Sequence, residues 1–170
     1  MKRLRWHAVA GIAGLALLSL TGCEAKGKFG ANCFAIPAGF ANPRGTVSAV
    51  IDAPLNVKPG TTFNLTVKSF GSQDAQTDNP TPARAAVINI TGGATAPFIQ
   101  PNGDVSIGTL SEPATYPATI PITVTGQPGE TIEISAGAGA QLVGVPPLAY
   151  AIICQPDQPS KLVSIPIEAP

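Results

Sequence analysis

The segment PITVTGQPGETIEIS, residues 121–135, predicts the fold of this chain. Apolar and polar residues alternate on both sides of its Pro-Gly pair, and a period of two is typical of a half-buried strand. Proline presets φ for the first central position of a turn, and glycine accepts the positive φ that a type II turn requires at the second position. The segment therefore predicts a strand, a tight turn and another strand.

The segment PLNVKPGTTFNLT, residues 54–66, repeats this pattern with two residues fewer. The chain contains 18 prolines, all after residue 22, and they exclude long helices from that part. Roughly eight short strands with Gly/Pro turns between them predict an all-β domain built as a β-sandwich. The predicted strands lie at 46–51, 63–67, 88–90, 105–110, 120–124, 132–134, 148–154 and 162–167.

The first 22 residues have a different composition. Lys2, Arg3 and Arg5 precede an uncharged apolar run over residues 8–20. A basic start followed by a short apolar run is typical of a secretion signal, whereas a bilayer-spanning helix needs about 20 apolar residues. We therefore expect residues 1–22 to be a signal peptide.

The tetrapeptide Leu20-Thr21-Gly22-Cys23 resembles the lipobox of bacterial lipoproteins. The resemblance implies cleavage between Gly22 and Cys23 and a diacylglyceryl group on the Cys23 thiol. The protein would then be exported and anchored to the bacterial cell membrane by its N-terminal lipid, facing the cell exterior. Two acyl chains, at about 0.8 kcal/mol per buried methylene, make such an anchor effectively permanent. The alternative is an ordinary secretory signal with a cysteine nearby by chance.

If Cys23 carries lipid, Cys33 and Cys154 remain as an even pair in an oxidising compartment. That context favours a disulfide between them, and the alternative is two buried free thiols. The predicted organisation is a signal peptide (1–22), a lipidated tether (23–32) and a β-sandwich domain (33–170). A tether of this length spans roughly 30 Å when extended, so the domain would work close to the membrane.

The repeated strand, Pro-Gly turn and strand resembles the early strands of many bacterial immunoglobulin-like modules, from Cys33 onward. The composition, poor in lysine and rich in alanine, glycine, proline and threonine, is similar to that of secreted envelope proteins of actinobacterial type. This resemblance implies an immunoglobulin-like β-sandwich. The chain departs from it in having no tryptophan after Trp6 and in placing Tyr150 four residues before Cys154, where a tyrosine corner has two. The repeat could instead mark two small tandem domains.

Catalytic and metal-binding residue types are scarce after the predicted signal, which contains the single histidine, His7. Without histidine, a Ser-His-Asp triad, a Cys-His pair and an imidazole metal ligand are excluded. Glu130 and Glu133 are three apart and face opposite sides of a strand. Asp74 and Asp78 lie in a polar loop, but their spacing matches no EF-hand. We therefore expect no enzyme, no cofactor and no metal site.

Seven Lys/Arg and ten Asp/Glu follow residue 22, so that part has a formal charge of −3 and no basic patch for nucleic acid. A sandwich carries its function on loops, and Phe98 and Tyr116 lie on proline-flanked loops that suit contact with an envelope protein or glycan. The sequence thus predicts a non-catalytic binding module held close to the membrane. The alternative is a carrier of an apolar ligand, lipid or glycolipid, held between the sheets or against the Gly/Ala-rich segment 137–148. A cavity of several hundred Å³ lined by Ile, Val and Leu would favour the carrier.

Substitution of the lipobox cysteine tests the anchor. We expect Cys23→Ser to release the protein from membranes because serine offers no thiol for the lipid. The substitution should leave the domain folded, because the predicted disulfide does not involve Cys23. Fractionation of cells, with circular dichroism of the released protein, measures both effects. A Cys23→Ser protein that stays with the membrane would show that the anchor assignment is wrong.

Overall fold

The computed structural model describes residues 22–36, 44–74, 81–143 and 149–170. Within these ranges the protein is all-β, which confirms the predicted class, and no helix occurs. The eleven strands are β1 (Gly22–Ile36), β2 (Gly45–Pro54), β3 (Thr62–Asp74), β4 (Thr81–Pro82), β5 (Ala85–Gly92), β6 (Ala94–Thr95), β7 (Asp104–Ile107), β8 (Ala118–Val124), β9 (Thr131–Val143), β10 (Tyr150–Pro156) and β11 (Lys161–Pro166).

Each of the eight predicted strand segments overlaps one of these strands. The prediction lacked β1, the two-residue strands β4 and β6, and the second half of β9. Part of the Gly/Ala-rich segment, residues 137–143, continues β9 and pairs with β5 and β10, whereas residues 144–148 lie outside the described residues. The described part of that segment is thus incorporated in the protein's own sheet.

One curled sheet contains all eleven strands, in the order β6-β8-β3-β2-β1-β10-β9-β5-β7, with β11 added to β9 and β4 to β3. All of these strand pairs are antiparallel. The described strands therefore belong to one unit and not to two tandem domains.

Strand β1 joins the two halves of the sheet by changing partner along its length. Residues 22–31 pair with β2, residues 31–36 pair with β10, and Ala31 pairs on both sides. Residues 23–32, which the sequence assigned to a tether, are therefore sheet backbone. The predicted signal peptide lies outside the described residues except for Gly22, which begins β1.

The inward side chains of both halves form one hydrophobic core. Phe70, the largest fully buried side chain, lies on β3, and the opposite half contributes Ile88 and Ile134 from β5 and β9. The two halves approach closely at Gly139 of β9. A Cβ placed there would lie 2.8 Å from Ser72 Cβ and 2.9 Å from Phe70 Cε1. Glycine at this position thus allows the backbone of β9 to lie against the side chains of β3.

The two Pro-Gly pairs form the predicted turns. Thr61 N–H donates to Lys58 O at 3.2 Å and Glu130 N–H donates to Gln127 O at 3.1 Å. Gly60 and Gly129 have φ values of 72° and 91°, which glycine adopts without steric cost. The strands that follow the turns behave differently, because β3 pairs with β2 whereas β9 crosses to the other half of the sheet and does not pair with β8.

Residues in or next to both turns form backbone hydrogen bonds with residues 166–168. Ile167 N–H donates to Glu130 O at 2.9 Å, and Ile167 O accepts from Gly129 N–H at 2.8 Å. On the other side, Val57 N–H donates to Pro166 O at 3.1 Å. The repeated segments therefore meet at residues 166–168 although they lead into different halves of the sheet.

The structure confirms the disulfide between Cys33 and Cys154. The two cysteines are buried and lie opposite each other in the ladder between β1 and β10. The bond therefore joins two residues that the sheet already pairs and closes a loop with a sequence separation of 121.

Removal of this bond should destabilise the domain. The chain-entropy model gives an upper value of about 4–5 kcal/mol for a loop of this length, because the bond restricts the unfolded chain. We expect Cys33→Ala/Cys154→Ala to lower Tm by roughly 10 °C or more in calorimetry. Reduced wild-type protein is the matched control and should show a similar Tm. An unchanged Tm in both samples would show that the disulfide does not stabilise the fold.

Candidate binding groove

The polar candidates from the sequence make local structural contacts. Glu130 Oε2 accepts the Gln127 N–H at 2.8 Å and closes its own turn. Glu133 pairs with Lys161 Nζ at 2.8 Å and accepts from the Ser164 hydroxyl at 2.8 Å, and these two partners, Lys161 first, lower the pKa of its carboxyl. The two glutamates thus have separate hydrogen-bonding partners.

No group of three or more His, Cys, Asp or Glu side chains suited to a metal ion occurs among the described residues. The calcium candidate lies beyond them, because Asp78 and the side chain of Asp74 are outside the described part. That part also contains no helix with the length and hydropathy needed to span a bilayer.

Four charged side chains form a compensated cluster on the exposed face of β1, β2 and β3, next to Cys23. Lys68 Nζ lies 2.7 Å from Glu24 Oε2 and 2.9 Å from Asp52 Oδ2, and Lys26 Nζ lies 2.7 Å from Glu24 Oε1. Lys26 and then Lys68, through their hydrogen bonds, lower the pKa of Glu24 to about 2. The charges beside Cys23 therefore satisfy one another.

Cys23 itself is exposed and lies opposite Ala53 at the start of the β1–β2 ladder. A surface cavity of about 200 Å³ adjoins this point, and its apolar lining comes from Ala53, Pro54 and Phe63. A group attached to the Cys23 sulfur would be joined directly to the first residues of β1, since Cys23 is the second residue of that strand.

Phe98 is the most exposed large apolar side chain of the described residues, at 96%. It lies in a turn closed by the hydrogen bond from Ile99 N–H to Ala96 O at 3.3 Å, with Pro97 before it. Its φ of 59° is left-handed. For a residue with a Cβ this conformation costs roughly 1–2 kcal/mol, and a bulky side chain rarely adopts it. The backbone thus holds an aromatic ring in solvent where glycine would fit more easily.

Beside Phe98 lies an open groove of about 350 Å³ between β7 and β8. Among the described strands, β7 ends one side of the sheet, and β8 lies near the other end, next to the two-residue strand β6. Curling of the sheet therefore brings these strands to opposite sides of one groove. The described residues that line it include no charged side chain and are Pro97, Phe98, Val105, Ser106, Ile107, Gly108, Ala118, Thr119, Ile120 and Pro121.

The structure does not bring Tyr116 into this groove with Phe98. The Tyr116 side chain is half-buried against the core, and its hydroxyl donates to Ala83 O at 3.3 Å. Burial raises the pKa of this phenol to about 12. Of the two aromatic residues predicted for partner contact, only Phe98 lines the groove.

The sequence prediction did not identify the groove walls, Ser106 and Thr119 among them. One signal for them was present: Pro121 has no N–H to donate, and proline inside a strand indicates an edge. No family model matches the chain, and no curated protein and no solved structure matches it either.

Two substitutions at residue 98 test the strain in this turn. Because the ring is almost fully exposed, Phe98→Ala and Phe98→Gly remove the same few contacts, but only glycine relieves the left-handed backbone. After allowance for the greater freedom of glycine in the unfolded chain, Phe98→Gly should be more stable than Phe98→Ala by about 0.5–1 kcal/mol. Urea unfolding measures the difference. Equal stabilities would show that Phe98 carries no backbone strain.

Proposed function

We propose that this chain is a lipid-anchored bacterial envelope protein that acts as a non-catalytic binding module close to the membrane. Its anchor would be the lipid on Cys23, after cleavage of the signal peptide between Gly22 and Cys23. The lipobox resemblance supports export and anchorage, and the disulfide between Cys33 and Cys154 is consistent with an oxidising compartment. In this position the domain faces the cell exterior.

We further propose that the curled sheet is an immunoglobulin-like β-sandwich, with β2, β3 and β8 in one layer and β5, β9 and β10 in the other. Two observations support this arrangement. Both groups of strands contribute to one core, and the β9 backbone at Gly139 lies against Phe70 of β3. In a sandwich, strand β1 would pass from one layer to the other at Ala31, where it changes partner.

The exposed ring of Phe98 is the observation on which the binding proposal depends. The solvated ring of Phe98 contributes almost nothing to the core, and the positive φ of the Phe98 backbone opposes folding. Backbone strain of this kind is concentrated at binding and active sites. Since Phe98 also borders an uncharged groove, the surface suits a partner that covers the ring and enters the groove.

The short distance between anchor and sheet supports a partner in the membrane-proximal envelope. Cys23 is already part of the β1–β2 ladder, so no unpaired spacer separates it from the folded domain. A protein or glycan of the inner envelope is within reach of a domain held in this way.

The groove also supports the alternative, a carrier of an apolar ligand. Val105, Ile107 and Ile120 line it, and a volume of about 350 Å³ lies in the range of small-molecule sites. This groove lies between strands at the ends of the sheet and is open to solvent. Part of an acyl chain or a glycolipid would therefore be held at the surface rather than within the core.

Photo-crosslinking in the living host tests the binding proposal. Benzoylphenylalanine in place of Phe98 keeps an aromatic ring at the groove, and the same probe at Gln155, an exposed residue of β10, is the matched control. We expect an adduct from position 98 that position 155 does not form, because only the first probe lies at the groove. Mass spectrometry of the adduct distinguishes protein or glycan from lipid. Absence of an adduct at 98, or equal adducts at both positions, would contradict the proposed binding surface.

A further inference from the structure

The backbone of β7 presents to the groove polar groups that have no partner among the described residues. In an antiparallel ladder the N–H and C=O of one residue point to the same side, and this side alternates along the strand. Gly103 O accepts from Ile90 N–H at 2.8 Å, so Gly103 faces β5, and Val105 and Ile107 face it too. Ser106 then faces away from β5. Asp104 O supports this direction, since it accepts from Gln100 N–H at 2.9 Å on the outer side.

The same reasoning applies to β8. Val124 N–H donates to Thr61 O at 2.9 Å and Val124 O accepts from Gly60 N–H at 3.0 Å, so Val124 faces the β3 side. By alternation, Ile122 and Ile120 face β3, and Thr119 and Pro121 face away from it. Thr119 and Ser106 both line the groove, and within the described part of the chain neither has a backbone partner on this side.

From these edges we infer that the groove binds an extended, uncharged polypeptide segment of another envelope protein, which adds as a strand to β7 and β8. This inference rests on the proposed function and names the class of partner. Strand addition supplies the missing partners of Ser106 and Thr119 through main-chain hydrogen bonds, and alternate side chains of the segment reach the groove walls. Phe98 then covers the segment from one side.

The polar edges favour a polypeptide over a hydrocarbon chain. An acyl chain lying in the groove would cover the N–H and C=O groups of Ser106 and Thr119 without bonding them, and such burial is unfavourable. The N–H and C=O groups of a peptide strand have the same spacing as those of β7 and β8, so the two sets of groups can pair. The described lining has no charged residue that could pair with a charge on the segment. An uncharged segment therefore binds there without burying an unpaired charge.

Substitution by proline tests this proposal because it removes a single backbone N–H group. Ser106→Pro removes the outward N–H of β7 and leaves the bonds of Val105 and Ile107 to β5, whereas Ser106→Ala keeps the N–H and removes only the hydroxyl. Thr119→Pro and Thr119→Ala are the corresponding pair on β8. Urea unfolding of all four variants, together with formation of the Cys33–Cys154 disulfide, establishes that each is folded.

The probe is a phage library of random octapeptides, selected on the full protein in lipid nanodiscs. We expect enrichment of uncharged peptides whose affinity falls roughly tenfold in a folded proline variant, the effect of losing one well-formed hydrogen bond, and stays unchanged in the alanine variants. The amides of Ser106 and Thr119 should also exchange hydrogen more slowly when the selected peptide is bound.

The outcomes separate this inference from the proposed function. Equal affinity in the proline and alanine variants, or failure to enrich any peptide, overturns strand addition. If the crosslink at position 98 still forms in that case, the binding proposal stands with a glycan or lipid as its partner. If the crosslink is also absent, both proposals fail.

Discussion

The change of partner along β1 is the constraint on which the rest of this structure depends. The first part of β1 pairs with β2, the second part pairs with β10, and Ala31 belongs to both ladders. The disulfide lies two residues beyond this point and joins Cys33 to the residue opposite it. Since a slip of one residue would turn every β1 side chain to the other face, this bond also fixes the register of β1 against β10.

The sequence predicted those strands whose inward positions carry large hydrophobic residues, such as Ile132 and Ile134. It missed β1 because the inward positions there include Ala25 and Gly27, which give little hydrophobic signal. Both Pro-Gly turns followed from local chemistry. The partner of the next strand did not, because pairing of β9 with β5, β10 and β11 depends on residues distant in sequence.

The sequence also predicted only part of the candidate site. The exposure of Phe98 was predictable from its proline-flanked loop, but the groove beside it was not, since its walls come from strands that meet only when the sheet curls. A groove of this size buries less area than a stable protein interface, so a partner held there alone would bind weakly. If the proposed lipid on Cys23 anchors the chain, confinement of both molecules to one membrane would raise their effective concentration and compensate for weak binding.

The position of Cys23 in β1 also has a mechanical consequence. A force applied at Cys23 would act first on the β1–β2 ladder, and separation of this ladder would also withdraw Ala25, Phe29 and Ala31 from their packing in the core. Separation would stop at Cys33, where the disulfide holds β1 to β10. Residues 23–32 are already extended in β1, so the separated segment would span roughly 30 Å, about the length that it has in the sheet. If Cys23 carries the proposed lipid, the disulfide therefore limits to residues 23–32 the length of β1 that a pull from the membrane can free.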